Sequence, residues 1–297
     1  MRIKSLQILL ALPLLGAALT SCKLDDNKFE TLTSATVSQI VIPDDEDTPV
    51  SCQSNCMYSF KFDMGASTFV TTATDIKAGS ASGSFQTDAA KFNYSFISGY
   101  DVYRFSNVEG TLGNAPLTGM TGYMAAPANV LDPAVLVMQY RIDGATVKTF
   151  NPAPVFSGKT VTSYPAGPAG NKTAESEDAT YGVIFSSDMK QAIIVIRNIK
   201  FAPEMPRALE LVQIKGLAVT FDRGGYTITG SNIIPEVLEG DGMTQYKNFP
   251  FNSIELHTSN ATLTEVECTY EVAATIGERS MIFNGAFTGK SDSFGKE

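Results

Sequence analysis

The pattern of apolar and polar positions from residue 51 onwards is that of a β protein. In residues 57–62 every second side chain is a large aromatic group, and in residues 265–272 glutamate or threonine alternates with less polar residues. The positions predicted to face a core in these two segments are Tyr58, Phe60 and Phe62, and Val266, Cys268, Tyr270 and Val272. No stretch sustains the 3.6-residue period of a helix, so the sequence predicts an all-β fold.

The turns between these segments indicate antiparallel pairing, in a barrel or a sandwich. Asp143-Gly144, between two β-type segments, is a strong hairpin signal. Residues 166–178 are rich in Pro, Gly and polar side chains and are predicted to be a linker. The chain then divides into an N-terminal β domain over 51–165 and a C-terminal β domain over 179–290, and one large barrel is the alternative to two tandem domains.

The N-terminal segment is built differently. Two basic residues precede an apolar stretch that ends at Leu19-Thr20-Ser21-Cys22, which is typical of a secretory signal peptide over residues 1–21. Its last four residues resemble the bacterial lipobox. That resemblance implies cleavage before Cys22 and acylation of this cysteine, which would anchor the protein in the outer membrane. Acidic residues at 25 and 26 resemble a surface-export signal, and we expect the protein to face the outside of the cell.

Residues 22–50 are polar and irregular, and end with four consecutive acidic residues between Pro43 and Pro49. Such a segment cannot bury a core, so we predict a disordered tether between the anchor and the first β domain.

The charge, the cysteines and the single histidine limit which partners, disulfides and catalytic or metal sites the protein can have. The net charge of −9 and the absence of a basic stripe argue against nucleic acid and anionic membrane surfaces as partners. Besides Cys22 there are Cys52, Cys56 and Cys268. A Cys52–Cys56 disulfide would leave Cys268 reduced, and a bridge from either of the pair to Cys268 is the alternative. With a single histidine, His257, the sequence predicts no metal site, no cofactor and no catalytic residues.

A family resemblance covers residues 179–290. It is carried by Arg197-Asn198-Ile199-Lys200-Phe201, by residues 212–219 and by the closing segment 281–289. This part of the chain resembles the calycin-like β-barrel domain of lipoproteins in anaerobic Gram-negative bacteria. The resemblance implies an antiparallel barrel displayed on a lipid anchor, without catalytic residues.

Three functions remain open at this stage. The first is a non-enzymatic lipoprotein that binds a small ligand or an envelope protein, with the segments 112–129 and 232–250 as loops around the rim of a barrel. The second is a fimbrillin-like structural subunit of a surface assembly, which would need an open sheet edge. The third is a glycan hydrolase acting through paired carboxylates, which the lack of any Trp disfavours.

Overall fold

The protein is described by a computed structural model. It covers residues 30–128, 134–151, 155–165, 170–201, 205–223, 225–258, 265–276 and 279–291. These residues form strands and turns without a helix, and the strands close into two antiparallel barrels of eight strands each. The predicted all-β fold and the division into two tandem β domains are therefore confirmed. The described residues include no helix that is long and apolar enough to cross a membrane.

The first barrel is an up-and-down arrangement in which sequence neighbours pair and β1 closes the ring against β10. Two short strands, β5 and β6, lie between β4 and β7 and pair with β3 and β7. Its strands are β1 (Glu30–Pro43), β2 (Ser51–Asp63), β3 (Thr68–Ala78), β4 (Ala81–Thr87), β5 (Ala90–Lys91), β6 (Asn93–Ile97), β7 (Tyr100–Leu112), β8 (Ala115–Pro127), β9 (Val135–Ile142) and β10 (Ala145–Asn151).

The interior of the first barrel is filled by side chains from alternate positions of each strand. Aromatic rings dominate one part of it, where Phe62 stacks on Tyr103 with ring centroids 4.0 Å apart. In another part the Tyr58 hydroxyl donates to Gln39 Oε1 at 3.0 Å and lies 2.9 Å from the Tyr140 hydroxyl. Pairing these buried polar groups avoids the penalty of leaving them unsatisfied in the core.

The second barrel has the same up-and-down order, closed by pairing of β11 with β13 and β21. Three strands are additions to the ring: β12 pairs with β11, and the hairpin of β17 and β18 pairs with β15. The strands are β11 (Val155–Pro165), β12 (Asn171–Ser176), β13 (Thr180–Phe185), β14 (Gln191–Ile199), β15 (Leu209–Phe221), β16 (Tyr226–Ile233), β17 (Glu236–Glu239), β18 (Gly242–Gln245), β19 (Phe251–Thr258), β20 (Glu265–Ile276) and β21 (Arg279–Ser291).

The domain limits differ from those predicted. Residues 30–43 of the predicted tether form β1, because both of its edges find partners, in β2 and in β10. The predicted linker contains β12, which pairs along residues 160–165 of β11. The second barrel consequently begins at Val155 rather than at residue 179. Residues 112–129, predicted to be a rim loop, largely form β8, a barrel strand.

The two barrels contact each other through the outer wall of the first and one end of the second. Ile40 and Phe150 project outwards from β1 and β10 into the core cluster of the second barrel. The Phe150 ring lies 5.7 Å from Phe185 and 6.3 Å from Tyr226, between ring centroids. At the edge of this contact, Arg223 Nη1 donates to the Pro43 carbonyl at 2.6 Å.

The contact between barrels is expected to depend on Phe150. The Phe150→Ala variant should lower the free energy of unfolding by about 3 kcal/mol, since it removes a ring that is buried against two others. Urea denaturation followed by circular dichroism measures this. The control is Phe96→Ala, which truncates a ring that is 61% exposed and should change stability by less than about 0.5 kcal/mol. Equal effects of the two substitutions would show that the barrels are not held together by this ring.

Candidate functional site

The predicted lipidation site, Cys22, and the predicted signal peptide lie outside the described residues. Acylation of Cys22 and cleavage before it therefore stay predictions.

The other cysteines are thiols in this structure. Cys52 and Cys56 lie on the same strand, and their partners on β1, Ile40 and Val37, are three residues apart. That corresponds to roughly 10 Å along the strand, beyond the Cα separation of about 7 Å that a disulfide can bridge. Their side chains also diverge, because Cys52 packs against the core of the second barrel and Cys56 is buried inside the first. The structure thus does not bring the predicted pair together.

Neither thiol has the surroundings of a reactive cysteine. Burial raises the pKa of Cys52 to about 12, and burial is also the main cause that raises the pKa of Cys56 to about 12. Cys268 is fully inside the second barrel, as its alternating strand predicts, and burial raises its pKa further. At neutral pH these groups are uncharged thiols, which are poor nucleophiles.

His257 lies on the outer face of the second barrel, on β19. Its Nδ1 is 2.9 Å from Thr227 Oγ1, the hydroxyl of its cross-strand partner on β16. This is a hydrogen-bonded strand histidine. Across the described ranges, no three or more His, Cys, Asp or Glu side chains are grouped so that they could hold a metal ion.

A cavity of about 780 Å³ opens at the end of the second barrel that points away from the first. Its most buried lining side chains are Val237, Phe249 and Phe283. Met205, Leu209, Leu238 and Tyr246 complete a mainly apolar lining. Both the volume and the apolar character are those of a small-molecule site. We call this the end cavity.

The β17–β18 hairpin forms one wall of the end cavity. Val237 pairs with Val212 of β15, which fixes the hairpin against the barrel. The tip of the hairpin is Gly240-Asp241, and Gly240 has a φ of 60°, so a glycine at this first turn position lets two residues reverse the chain. The local sequence therefore places Leu238 and Glu239 at the rim.

Aromatic side chains from the connection between β18 and β19 form a second wall. Tyr246 and Phe249 stack almost parallel, with centroids 5.1 Å apart and planes 4° from each other. Phe249 in turn stacks on Phe201 at 5.5 Å, which ties the wall to the barrel core. A stack supported in this way is rigid and presents a flat, apolar face.

The charged residues that the structure describes in the lining of the end cavity lie at its rim. Arg207, Glu210 and Glu239 line it and are exposed. An apolar interior with both signs of charge at the mouth suits a ligand with an apolar body and a polar end. Among the described residues, the lining has no pair of buried carboxylates that would suit glycoside hydrolysis.

The sequence indicated one part of this site and missed another. The segment 232–250, predicted to be a rim loop, supplies the hairpin and the aromatic stack. Residues 205–210 were not singled out, and they line the cavity from the other side. The Pro-containing break between the apolar strand β14 and the start of β15 was the only available signal for them.

The fold and the end cavity define a protein of two tandem antiparallel barrels, the second of which is open at one end. No protein-family model matches the chain, and no curated protein matches it. Among solved structures it is similar to a candidate outer membrane protein from Bacteroides fragilis, with 15% identity, a TM-score of 0.32, and coverage of 93% of this chain and 95% of that one. It is also similar to intact Ap-TbpB with its N and C lobes, at 9% identity and a TM-score of 0.27, covering 88% and 77%. Both TM-scores are low, so neither likeness defines the fold.

Proposed function

We propose that the protein is a non-enzymatic, lipid-anchored protein of the bacterial outer membrane whose second barrel binds a small amphiphilic ligand in the end cavity. The observation that carries the binding function is the lining of that cavity, which combines an aromatic stack, supported by the barrel core, with charged residues at the rim. The lipobox at Leu19–Cys22 supports the anchor, and the acidic residues after it support display outside the cell.

The closed barrels favour ligand binding over the fimbrillin-like alternative. A strand-donating subunit needs an open position in its sheet, whereas the eight strands of each ring are hydrogen-bonded on both sides. A closed ring with an accessible end instead resembles barrels that hold a ligand at the mouth. The alternative is that the ligand is another envelope protein, which would bind at the rim of the end cavity.

Tyr246 is the residue that tests the proposed site. Tyr246→Ala should weaken binding of a dansylated fatty acid by about fivefold or more, because one face of the aromatic stack is lost. Binding is measured by titration of the dansyl fluorescence. The matched control is Tyr94→Ala, which removes a half-exposed tyrosine from the first barrel and should leave the affinity unchanged.

Native mass spectrometry of protein purified from its own envelope provides the second measurement. A retained mass that is reduced in Tyr246→Ala and kept in Tyr94→Ala is the expected result. If the wild-type chain neither binds the dansylated probe saturably nor retains any mass, the small-ligand function is wrong.

A further inference from the structure

A second cavity, of about 600 Å³, opens through the side wall of the second barrel. It exists because β11 changes partners along its length. Residues 155–157 pair with β13, whereas residues 160–165 pair with β12. Beyond residue 157, β13 no longer pairs with β11, and β12 takes its place on that edge. The side wall of the barrel is therefore open between β12 and the end of β14. We call this the side cavity. Ala208 lines both cavities, so the segment 205–210 separates them.

The floor of the side cavity is made of hydroxyl groups. Thr160 and Thr162 of β11 line it, and each side chain is only 2% exposed. Thr160 Oγ1 lies beside the Tyr181 hydroxyl, and among the described residues it forms no hydrogen bond of normal geometry. A ligand hydroxyl that reached this floor would offer Thr160 a better-aligned partner than the Tyr181 hydroxyl provides.

Two further hydroxyls lie behind this floor. Tyr181 stacks on Phe287, the cross-strand partner of Thr160, with ring centroids 3.9 Å apart. Tyr270 lies over Gly285, the cross-strand partner of Thr162. Both hydroxyls are buried, and each lies beside the other and beside one threonine of the floor, Tyr181 beside Thr160 and Tyr270 beside Thr162. Within the described part of the chain, these contacts fall outside normal hydrogen-bond geometry.

The tyrosine hydroxyls are neutral and close to each other. Burial, and after it the neighbouring Tyr270, raise the pKa of Tyr181 well above its ordinary value. Burial raises the pKa of Tyr270 to about 12. Near neutral pH both groups keep their proton, so each can donate one hydrogen bond and accept others.

The rim of the side cavity adds polar groups of mixed character. Glu175 and Asp178 carry negative charge, Lys200 is positive, and Asn198 offers an amide. The two acids and one base among the described lining residues give no excess of positive charge to attract an anion. No aromatic residue is among the described side chains that line the side cavity, unlike the end cavity. Neutral hydroxyls beneath a rim of donors and acceptors match a neutral ligand that is itself rich in hydroxyls.

We propose that the side cavity binds a neutral monosaccharide, with Thr160 and Thr162 contacting its hydroxyls. The volume is sufficient for one sugar ring. This site is distinct from the end cavity, and its occupation does not depend on the amphiphilic ligand proposed there.

The test is saturation-transfer NMR of the mature chain with glucose, galactose, mannose, fucose and N-acetylglucosamine, each titrated separately. At least one sugar should bind saturably, and Thr160→Val should weaken that binding by about tenfold, the loss of roughly one hydrogen bond. Valine has nearly the shape of threonine. The matched control is Thr288→Val, on the exposed face of the neighbouring strand β21, and it should bind as the wild type does.

Two further variants test whether sugar binding occurs in the side cavity. Lys200→Ala at the exposed rim should weaken sugar binding severalfold, and it replaces Thr160→Val if that protein does not fold. Tyr246→Ala, in the end cavity, should leave sugar binding intact, so that the two proposed sites fail or succeed separately. Two results would overturn the proposal. One is that none of the five sugars gives a saturable signal, as expected if the side cavity holds only water. The other is that the Thr160→Val protein binds the sugar as tightly as the wild type does.

Discussion

Replacing Cys22 with alanine is expected to move the protein from the membrane fraction to the soluble fraction, or to leave an uncleaved precursor. The physical reason is the number of acyl chains. A single chain gives only marginal, reversible membrane binding, whereas two or more hold a protein stably, at about 0.8 kcal/mol for each buried methylene group. Since the lipobox resemblance places every chain on or beside Cys22, a single substitution removes all of them. Fractionation and incorporation of labelled palmitate measure the effect.

The matched control for this experiment is Cys52→Ala, which removes a half-buried thiol of β2 and leaves the lipobox intact. It should incorporate palmitate like the wild type. Palmitate on the Cys22→Ala protein, or its loss from the Cys52→Ala protein, would show that acylation occurs elsewhere.

A large effect on stability is expected at Gly285. A Cβ atom at this position would overlap the ring of Tyr270, which is enclosed in the second barrel and cannot move aside cheaply. Overpacking of this kind typically lowers the free energy of unfolding by 1–3 kcal/mol, and with a buried ring as the obstacle we expect about 3 kcal/mol for Gly285→Ala. Chemical denaturation of the mature chain measures it.

A double-mutant cycle separates this overlap from any general intolerance of the strand. With the ring removed by Tyr270→Ala, the further change Gly285→Ala should cost less than about 1 kcal/mol, because the obstacle is gone. Gly242→Ala is the control, since a Cβ there meets open space. The overlap is refuted if Gly285→Ala is equally destabilising with and without the Tyr270 ring.

Much of the fold was predictable where alternation is strict and the turn is local. Val266, Cys268, Tyr270 and Val272 are buried inside the second barrel as their spacing indicates. Asp143-Gly144 joins β9 to β10, and both residues have positive φ, as the hairpin signal requires. In both cases the information lies within about ten residues of sequence.

Strands that depend on distant partners were not predictable in the same way. On β1 the inward side includes the polar Gln39, and the apolar Ile40 and Ile42 point outwards towards the second barrel. Apolar residues therefore fall on both faces and the period of two is lost. This segment is a barrel strand because it pairs with β2 on one edge and with β10 on the other. β10 lies more than a hundred residues later, and no local pattern predicts a pairing at that distance.

The end cavity was partly predictable for a related reason. The length and composition of the segment 232–250 marked it as more than a plain hairpin. Its position over the barrel is decided by the pairing of Val237 with Val212 and by the stack of Phe249 on Phe201. These contacts join segments that are not adjacent in the chain, and the opposite wall at residues 205–210 arises only once the barrel has closed.

The early start of β1 changes how the protein would stand on a membrane. Seven residues lie between Cys22 and Glu30, and the eight Cα-to-Cα steps between these two residues can span at most about 28 Å. The fourteen residues of β1 add roughly 45 Å of strand. The second barrel packs beside the far end of that strand, near Pro43. With Cys22 acylated, the first barrel would lie between the membrane and the open barrel, and the fixed length of β1 would contribute more to their separation than the segment before it can.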